Sequence, residues 1–311
     1  MRIRPILIGS ICLLWPLISA NAAYSRTWHL NPSGTGDAPS IEAACDSASA
    51  GDTIALSQGT YIQHAVCDSL NDLTLVSVDG PRKAIIRADW TGPTLAFFWG
   101  NNIRIDGLAV EVSQNGLYFY WCSAIELENS AFRDIGNSAP GSALSCDMSS
   151  SVTIESNYFV SNYEGVNFDE FNSDIIIHGN TFLDNEVGIY MNTATYVIIS
   201  NNLICGSQYG IHGVPVEPTV SCNNLYANAI NYDLVDVPDP TGTNGNISLD
   251  PQFCAVDPVQ TENYFLQSDS PCAPGNHPQG YGCGLIGSAP VGCSTVSIQS
   301  KTWSGIKQMY K

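Results

Sequence analysis

The sequence predicts an all-β fold built as a solenoid of stacked coils, and three observations carry that prediction. First, the stretch between Asn101 and Asn231 repeats itself. Asn102–Val110, Ser123–Phe132, Ser151–Phe159, Ser173–Phe182 and Ala194–Ile204 align without gaps over their central parts, and Pro218–Tyr226 is a shorter echo. The apolar residues Val110, Phe132, Phe159, Phe182, Ile204 and Tyr226 are separated by steps of 22, 27, 23, 22 and 22. Second, Asn157, Asn180, Asn202 and Asn224 keep this step, and so do Gly165, Gly188 and Gly210. Third, each segment alternates apolar and polar residues and is rich in β-branched side chains, as in Val152-Thr153-Ile154, with Asn and Gly at its end. Alternation marks strands, and a fixed period of this length marks stacked units that cannot bury their apolar faces singly.

Stacking explains the residue choices. Coils lie about 4.8 Å apart, so equivalent side chains sit over one another. Ile105, Leu127, Ile154, Ile177 and Ile199 are expected to form one interior column, the Phe series a second, and the Asn series a ladder of buried amides that bond one another and the turns. A coil of about 22 residues with short strands and Asn-rich turns resembles the right-handed parallel β-helix of the pectate-lyase-like proteins. The resemblance covers most of the chain and implies an architecture rather than a reaction.

Taken in order, residues 1–22 read as a secretory signal peptide: Arg2 and Arg4, an apolar run from Ile6 to Leu14, then Ala20-Asn21-Ala22 before the cut. That run is too short to span a bilayer, so no transmembrane segment is expected after cleavage. Residues 23–50 form a lead and an amphipathic helix. Ser40 is its N-cap, Ile41, Ala44, Cys45 and Ala48 share a face, and Gly51 is its stop. The helix resembles the plug that closes the first coil of secreted β-helix proteins. The β-helix itself is placed at 51–246.

From Ile247 the period disappears. Residues 247–294 are rich in Pro, Gly and Cys, and their DPxF, SPC and GC elements (Asp250–Phe253, Ser270–Cys272, Gly292-Cys293) resemble the closing cap of the same proteins. Asn246-Ile247-Ser248 is a glycosylation sequon. Residues 295–311 carry Trp303, Ile306 and Tyr310 near one helical face, with three lysines around them, as a terminal tail or a docking or sorting tag.

Once the signal is removed, 9 Lys and Arg stand against 29 Asp and Glu, a formal charge of −20. Such a surface excludes nucleic acid and anionic membranes as partners. Ten cysteines remain: Cys45, Cys67, Cys122, Cys146, Cys205, Cys222, Cys254, Cys272, Cys283 and Cys293. An even count in an exported chain suggests disulfides, sequential pairing being the simplest arrangement, and no pair has the CxxC spacing of a zinc or redox site.

Enzymes of this fold carry their chemistry on outward side chains of neighbouring coils. After the repeated Gly, Asn167, Tyr190 and His212 fall in one outward column, and Asp169 and Asn192 in the next. Tyr118 and Tyr120 extend this face, and Asp147 is expected near Glu170, across the irregular 27-residue coil. Aromatic rings stack on sugars while amides and carboxylates bond their hydroxyls. Hence Tyr118, Tyr120, Asn167, Tyr190 and His212 are substrate-binding candidates, and Asp147, Asp169 and Glu170 catalytic ones, as acid and base in glycoside hydrolysis. Calcium is the cofactor such carboxylates admit.

The lyases and polygalacturonases of this fold offer no closer match. The repeat has no basic residue on this band, and the strings NTD, GHG and RIK do not occur. The sequence thus points to a secreted protein that recognises, and has the carboxylates to process, an extracellular polysaccharide or cell-surface glycan by lyase- or glycosidase-like chemistry. The alternative is a non-catalytic surface or adhesion scaffold.

On the opposite strand face, Asp106, Glu128, Glu155 and His178 form a column that asks for a cation, and Arg104 faces Glu126. Ile176 and Ile198 point outward there. The segment from Tyr232 to Phe265 is the expected cover, and left bare they would mark a partner surface.

Overall fold

The structure is a computed structural model that describes residues 25–88, 92–136, 140–216, 218–254 and 264–293. The signal peptide at 1–22 and the tail at 295–311 lie outside the described residues. Short strands wind into a right-handed parallel β-helix with three faces. The first face stacks Thr27–Leu30, Thr53–Leu56, Asn71–Ser77, Asn101–Asp106, Ser123–Glu128, Ser150–Glu155, Ser173–His178, the end of Val187–Ser200, and Thr219–Ser221. The second runs from Gly59–Ile62 to Asn224–Tyr226. The third stacks Ala65–Asp68, Pro93–Phe98, Asn115–Tyr120, Ser142–Asp147, Glu164–Phe168, the start of Val187–Ser200, Tyr209–Val216 and Ile230–Leu234.

The interior follows the repeat. Ile103, Ile125, Val152, Ile175 and Val197 stack in register, and so do Ile105, Leu127, Ile154, Ile177 and Ile199, all buried. Phe132, Phe159 and Phe182 stack face to face at 5.0 and 4.7 Å. Each such ring contributes about 1.5–3 kcal/mol by burial. Leu225, and not Tyr226, continues the column beyond Ile204, since the step there is one residue shorter than the apolar echo suggests. The amide ladder shows the same slip. It runs Asn157, Asn180, Asn202, Asn223 and Asn246, each Oδ1 accepting from the backbone N–H of the Asn before it. Asn224 leaves the ladder and bonds Leu249 O with its Nδ2. Gly165, Gly188 and Gly210 are required by closeness: a Cβ on Gly188 would lie 2.6 Å from the carbonyl oxygen of Gly210.

Helix α1 (Ile41–Ser47) covers the first coil. Ser40 accepts from Ala43 N, and the helix ends at Ser47, earlier than Gly51. Asp52 holds the entry, accepting from Arg26 N, Ser49 N and Trp28 Nε1. At the far end, Leu234 and Val237 pack against the core. The segment after Ile247 lies along the second face: Ile247, Leu266, Cys272, Ile286 and Ala289 cluster with Tyr158, Val160, Leu183, Leu203 and Cys205. It does not cover Ile176 and Ile198, which stay 39% and 42% exposed.

Sequential pairing of the cysteines holds for Cys45–Cys67 alone among the described bonds. Cys222 joins Cys283, tying the last coil to the closing segment, and Cys254 is also disulfide-bonded. Cys122, Cys146, Cys205 and Cys272 are buried free thiols. Their places explain this. Cys146 fills the interior column between Phe119 and Phe168, while Cys122 takes a ladder position, where Gly100 N donates to its Sγ. Burial pushes the Cys205 thiol up to about 12 and the Cys272 thiol to about 11, so both stay protonated. The side chain of Cys293 is outside the described residues.

Candidate functional site

The third face brings most of the sequence candidates together. Tyr118, Ser145, Asn167, Tyr190, His212 and Asp233 are successive members of one outward column. Beside it, Phe98, Tyr120 and Asp147 are in register, and Asn192 Nδ2 donates to Asp169 Oδ1 at 2.9 Å. Pleating sends these side chains outward while Leu117, Phe119, Leu144, Cys146, Val166 and Phe168 point into the core.

Asp147 is the chemical centre of this face. Tyr118 Oη donates to its Oδ2 at 2.9 Å, while its Oδ1 is enclosed without a partner. Burial raises its pKa above the ordinary carboxylate value. The Tyr118 bond works against that rise, and the charge of Asp169 adds to it. Burial, with the bond to Asp147, likewise pushes the Tyr118 phenol up. Across the coil Asp147 meets both Asp169, next in strand register, and Glu170, whose backbone bonds the Asp147 carboxylate, so the expected nearness to Glu170 holds. Cys146 pairs with Phe168 and Ser150 with Ser173, so the second turn holds one residue more. Glu170 is therefore exposed at the turn, its carbonyl accepting from Met148 N.

Around Asp147 the rings form a connected surface. Phe98 meets Tyr118 and Tyr120 edge-on at 6.0 and 6.2 Å, and Trp99 meets Tyr120 at 6.2 Å. A cavity of about 230 Å³ opens beside Tyr118, lined by Pro93, Asn115 and Ser145. Further along, Asn167 Nδ2 and Ser142 Oγ both donate to Glu164 Oε2. His212 Nδ1 lies 2.8 Å from Asp233 Oδ2, and its ring sits between those of Tyr190 and Tyr209.

Sequence reasoning missed Phe98, Trp99, Glu164 and Asp233. Phe98-Trp99 and Tyr120-Trp121 share a 22-residue step that marks one register, and this signal was present in the chain. Among the described residues, no group of three or more His, Cys, Asp and Glu could hold a metal ion, so the calcium expectation finds no ligand set. On the first face, Asp106, Glu128, Glu155 and His178 do stack. Arg104 supplies their cation, through Glu128 and Asp106, with Glu126 more distant at 3.9 Å.

Three solved structures are similar to this chain at low identity. Pectate lyase Pel9A is 14% identical, with a TM-score of 0.46, over 86% of this chain and 97% of its own. An alginate lyase from Paenibacillus sp. str. FPU-7 is 14% identical, with a TM-score of 0.33, over 67% and 99%. The PL6 family alginate lyase AlyGC is 15% identical, with a TM-score of 0.36, over 72% and 40%. No curated protein matches the chain. Residues 45–245, from the last turn of the helix through nearly all the coils just described, match the family described as periplasmic copper-binding protein (NosD), and the chain belongs to that family.

Proposed function

We propose that this chain is an exported polysaccharide-binding protein that recognises glycan on its third face and uses Asp147 and Asp169 to process it. The observation that carries this reading is the Tyr118–Asp147 hydrogen bond, set among Phe98, Tyr120 and Trp99. Rings that stack on sugars stand beside a carboxyl whose proton affinity is raised. Carboxylates on adjacent coils are about 5 Å apart, a separation suited to retaining glycoside hydrolysis. Asp147 then gives its proton to the leaving oxygen as the glycosidic C–O bond breaks, and Asp169 attacks the anomeric carbon. Water next releases the sugar, returning its proton to Asp147.

The family description names copper. Copper favours imidazole and sulfur donors, and no cluster of the described side chains supplies them together. The described donors do not fit that metal, and no step is assigned to it. The described disulfides and the family's periplasmic description support residence outside the cytoplasm, in the periplasm or beyond it.

The test is a panel of soluble polysaccharides, assayed for reducing ends and for the absorbance of unsaturated products. Hydrolysis by the native protein, abolished in Asp147→Asn and Asp169→Asn with glycan affinity kept, is the expected result. Unsaturated products would replace hydrolysis with elimination. Binding without cleavage would leave recognition standing and remove the carboxylates' role. A chain that neither binds nor cleaves is the non-catalytic scaffold.

A further inference from the structure

The corner where the third face turns into the first carries an unusual column. Trp99 N donates to Tyr120 O, Trp121 N to Asp147 O, and Met148 N to Glu170 O, which places Trp99, Trp121, Met148 and Phe171 one above another on successive coils. All four have left-handed backbones, at φ of 50°, 53°, 50° and 48°. The fold demands a left-handed residue at its corners, and elsewhere it supplies mostly small or Asx residues, such as Asn102, Asn129, Ser156, Asp184 and Asn201, Asn and Asp tolerating that region best. Bulky residues take that region singly at Val112 and Tyr196, but here three large rings gather on one ridge, two tryptophans and a phenylalanine left 57%, 55% and 74% exposed. Side chains that are costly in both conformation and solvation, gathered on one ridge, point to a ligand.

The charge around the ridge names the ligand's class. Strands of the third face and their corner turns carry Asp68, Asp147, Glu164, Asp169, Glu170 and Asp233, and no Lys or Arg. Described arginines lie elsewhere and are engaged: Arg87 with Glu111, Arg104 with Glu128, Arg26 over Trp28 and Arg82 over Tyr158. An anionic polymer would meet like charge along the whole face and find no counter-ion. Sugar rings without charge suit it, since their C–H faces stack on aromatics and their hydroxyls bond carboxylates and amides.

We infer that the ligand is an uncharged polysaccharide laid parallel to the helix axis, its pyranose rings against Trp99, Trp121 and Phe171 and its hydroxyls toward Asp147, Asp169 and Asn192. Coil spacing, about 4.8 Å, is close to the length of one sugar unit, so each coil can seat one ring. Trp99, in contact with Tyr120, joins the ridge to the Tyr118–Asp147 pair. This inference rests on the third face being a glycan site and adds the charge class and the direction of the chain.

The experiment is affinity electrophoresis of the full mature chain through gels holding a mixed-linkage glucan, a galactomannan, polygalacturonate or alginate, at low salt and at 0.5 M salt. Retardation by an uncharged polymer, unchanged by salt, is expected, and Trp99→Ala/Trp121→Ala should weaken it at least tenfold. A second variant guards against misfolding. Trp121→Asn puts a residue that tolerates the left-handed region at the corner, so it should raise the melting temperature while weakening binding. Retardation by the polyuronates alone, lost at high salt, would overturn the charge class. Uncharged-glycan binding that survives both variants would overturn the ridge but leave the proposed function intact. No retardation by any of the four would overturn both.

Discussion

The amide ladder should be the main polar determinant of stability, and Asn180 is where to test it. Its Oδ1 accepts from Asn157 N at 2.9 Å and from Asn157 Nδ2 at 3.1 Å. Its Nδ2 donates to Ile154 O, His178 O and Asn202 Oδ1 at 2.8, 3.0 and 3.1 Å. Asn180→Ala removes all five bonds and strands the Asn157 N–H in a site without solvent. A buried donor left unpaired costs about 1–3 kcal/mol, and the remaining bonds and the small void bring the expected loss to about 2–5 kcal/mol. Asn180→Ser should lose about half as much. Ser130 already holds the equivalent place one coil before Asn157, where its Oγ accepts from Leu108 N and donates to Glu128 O. Urea unfolding with disulfides intact, followed by near-UV circular dichroism, measures both changes. Exchange of the Asn157 amide then locates the loss. Variants within ~0.5 kcal/mol of the native chain, or a serine worse than alanine, would refute a ladder that works by satisfying buried backbone.

Asp52→Asn should destabilise the first coil by about 1–3 kcal/mol, since three donors converge on its carboxylate. Burial alone would raise the Asp52 pKa, yet bonds from Ser49, Arg26 and Trp28 lower it overall. Its contribution is therefore present above the ordinary Asp range and lost as pH falls through the lowered value, and acid melts of the variant should be shallower there. At Asp147 the sign is opposite: its pKa is raised, so its contribution is present below the ordinary Asp value and lost as pH rises through the raised one. Carboxylate NMR should show Tyr118→Phe moving that pKa further up and Asp169→Asn moving it down. Asn246 is buried, its side chain held by Asn223, Val220 and Thr243, so expression in a glycosylating host should leave the sequon unmodified by mass.

What the sequence made legible was whatever repeats. The isoleucine and phenylalanine columns and the outward triplet Asn167, Tyr190 and His212 follow from a period and an alternation, both local properties of the chain. The ladder was misread only at its last step. Asn223 and Asn224 are adjacent, and choosing between them requires knowing that the coil there is 21 residues long. Disulfides were not legible, because ladder and core positions accept a thiol as readily as a hydroxyl or an apolar group, as Cys122 and Cys146 show. Nor was the cover of the second face: its residues, from Ile247 on, have no period, and hydrophobic contact has no direction.

Departures from the period say most about the site. Arg133 pairs with Val160 and Ser142 with Glu164, so the 27-residue coil places its five extra residues at the corner leading into the Ser142–Asp147 strand. In the 23-residue coil the single extra residue falls in the turn after Phe168, beside Asp169. Both insertions thus border the two carboxylates, one before Asp147 and one after Asp169, while the coils from Phe182 onward carry no insertion, with steps of 22 and then 21. An insertion breaks ladder and column contacts, and a stack selected only for stability would shed it. From Asn101 onward the regular coils therefore serve as scaffold, and the two expanded ones are where the chain departs from its own rule to shape the face around Asp147.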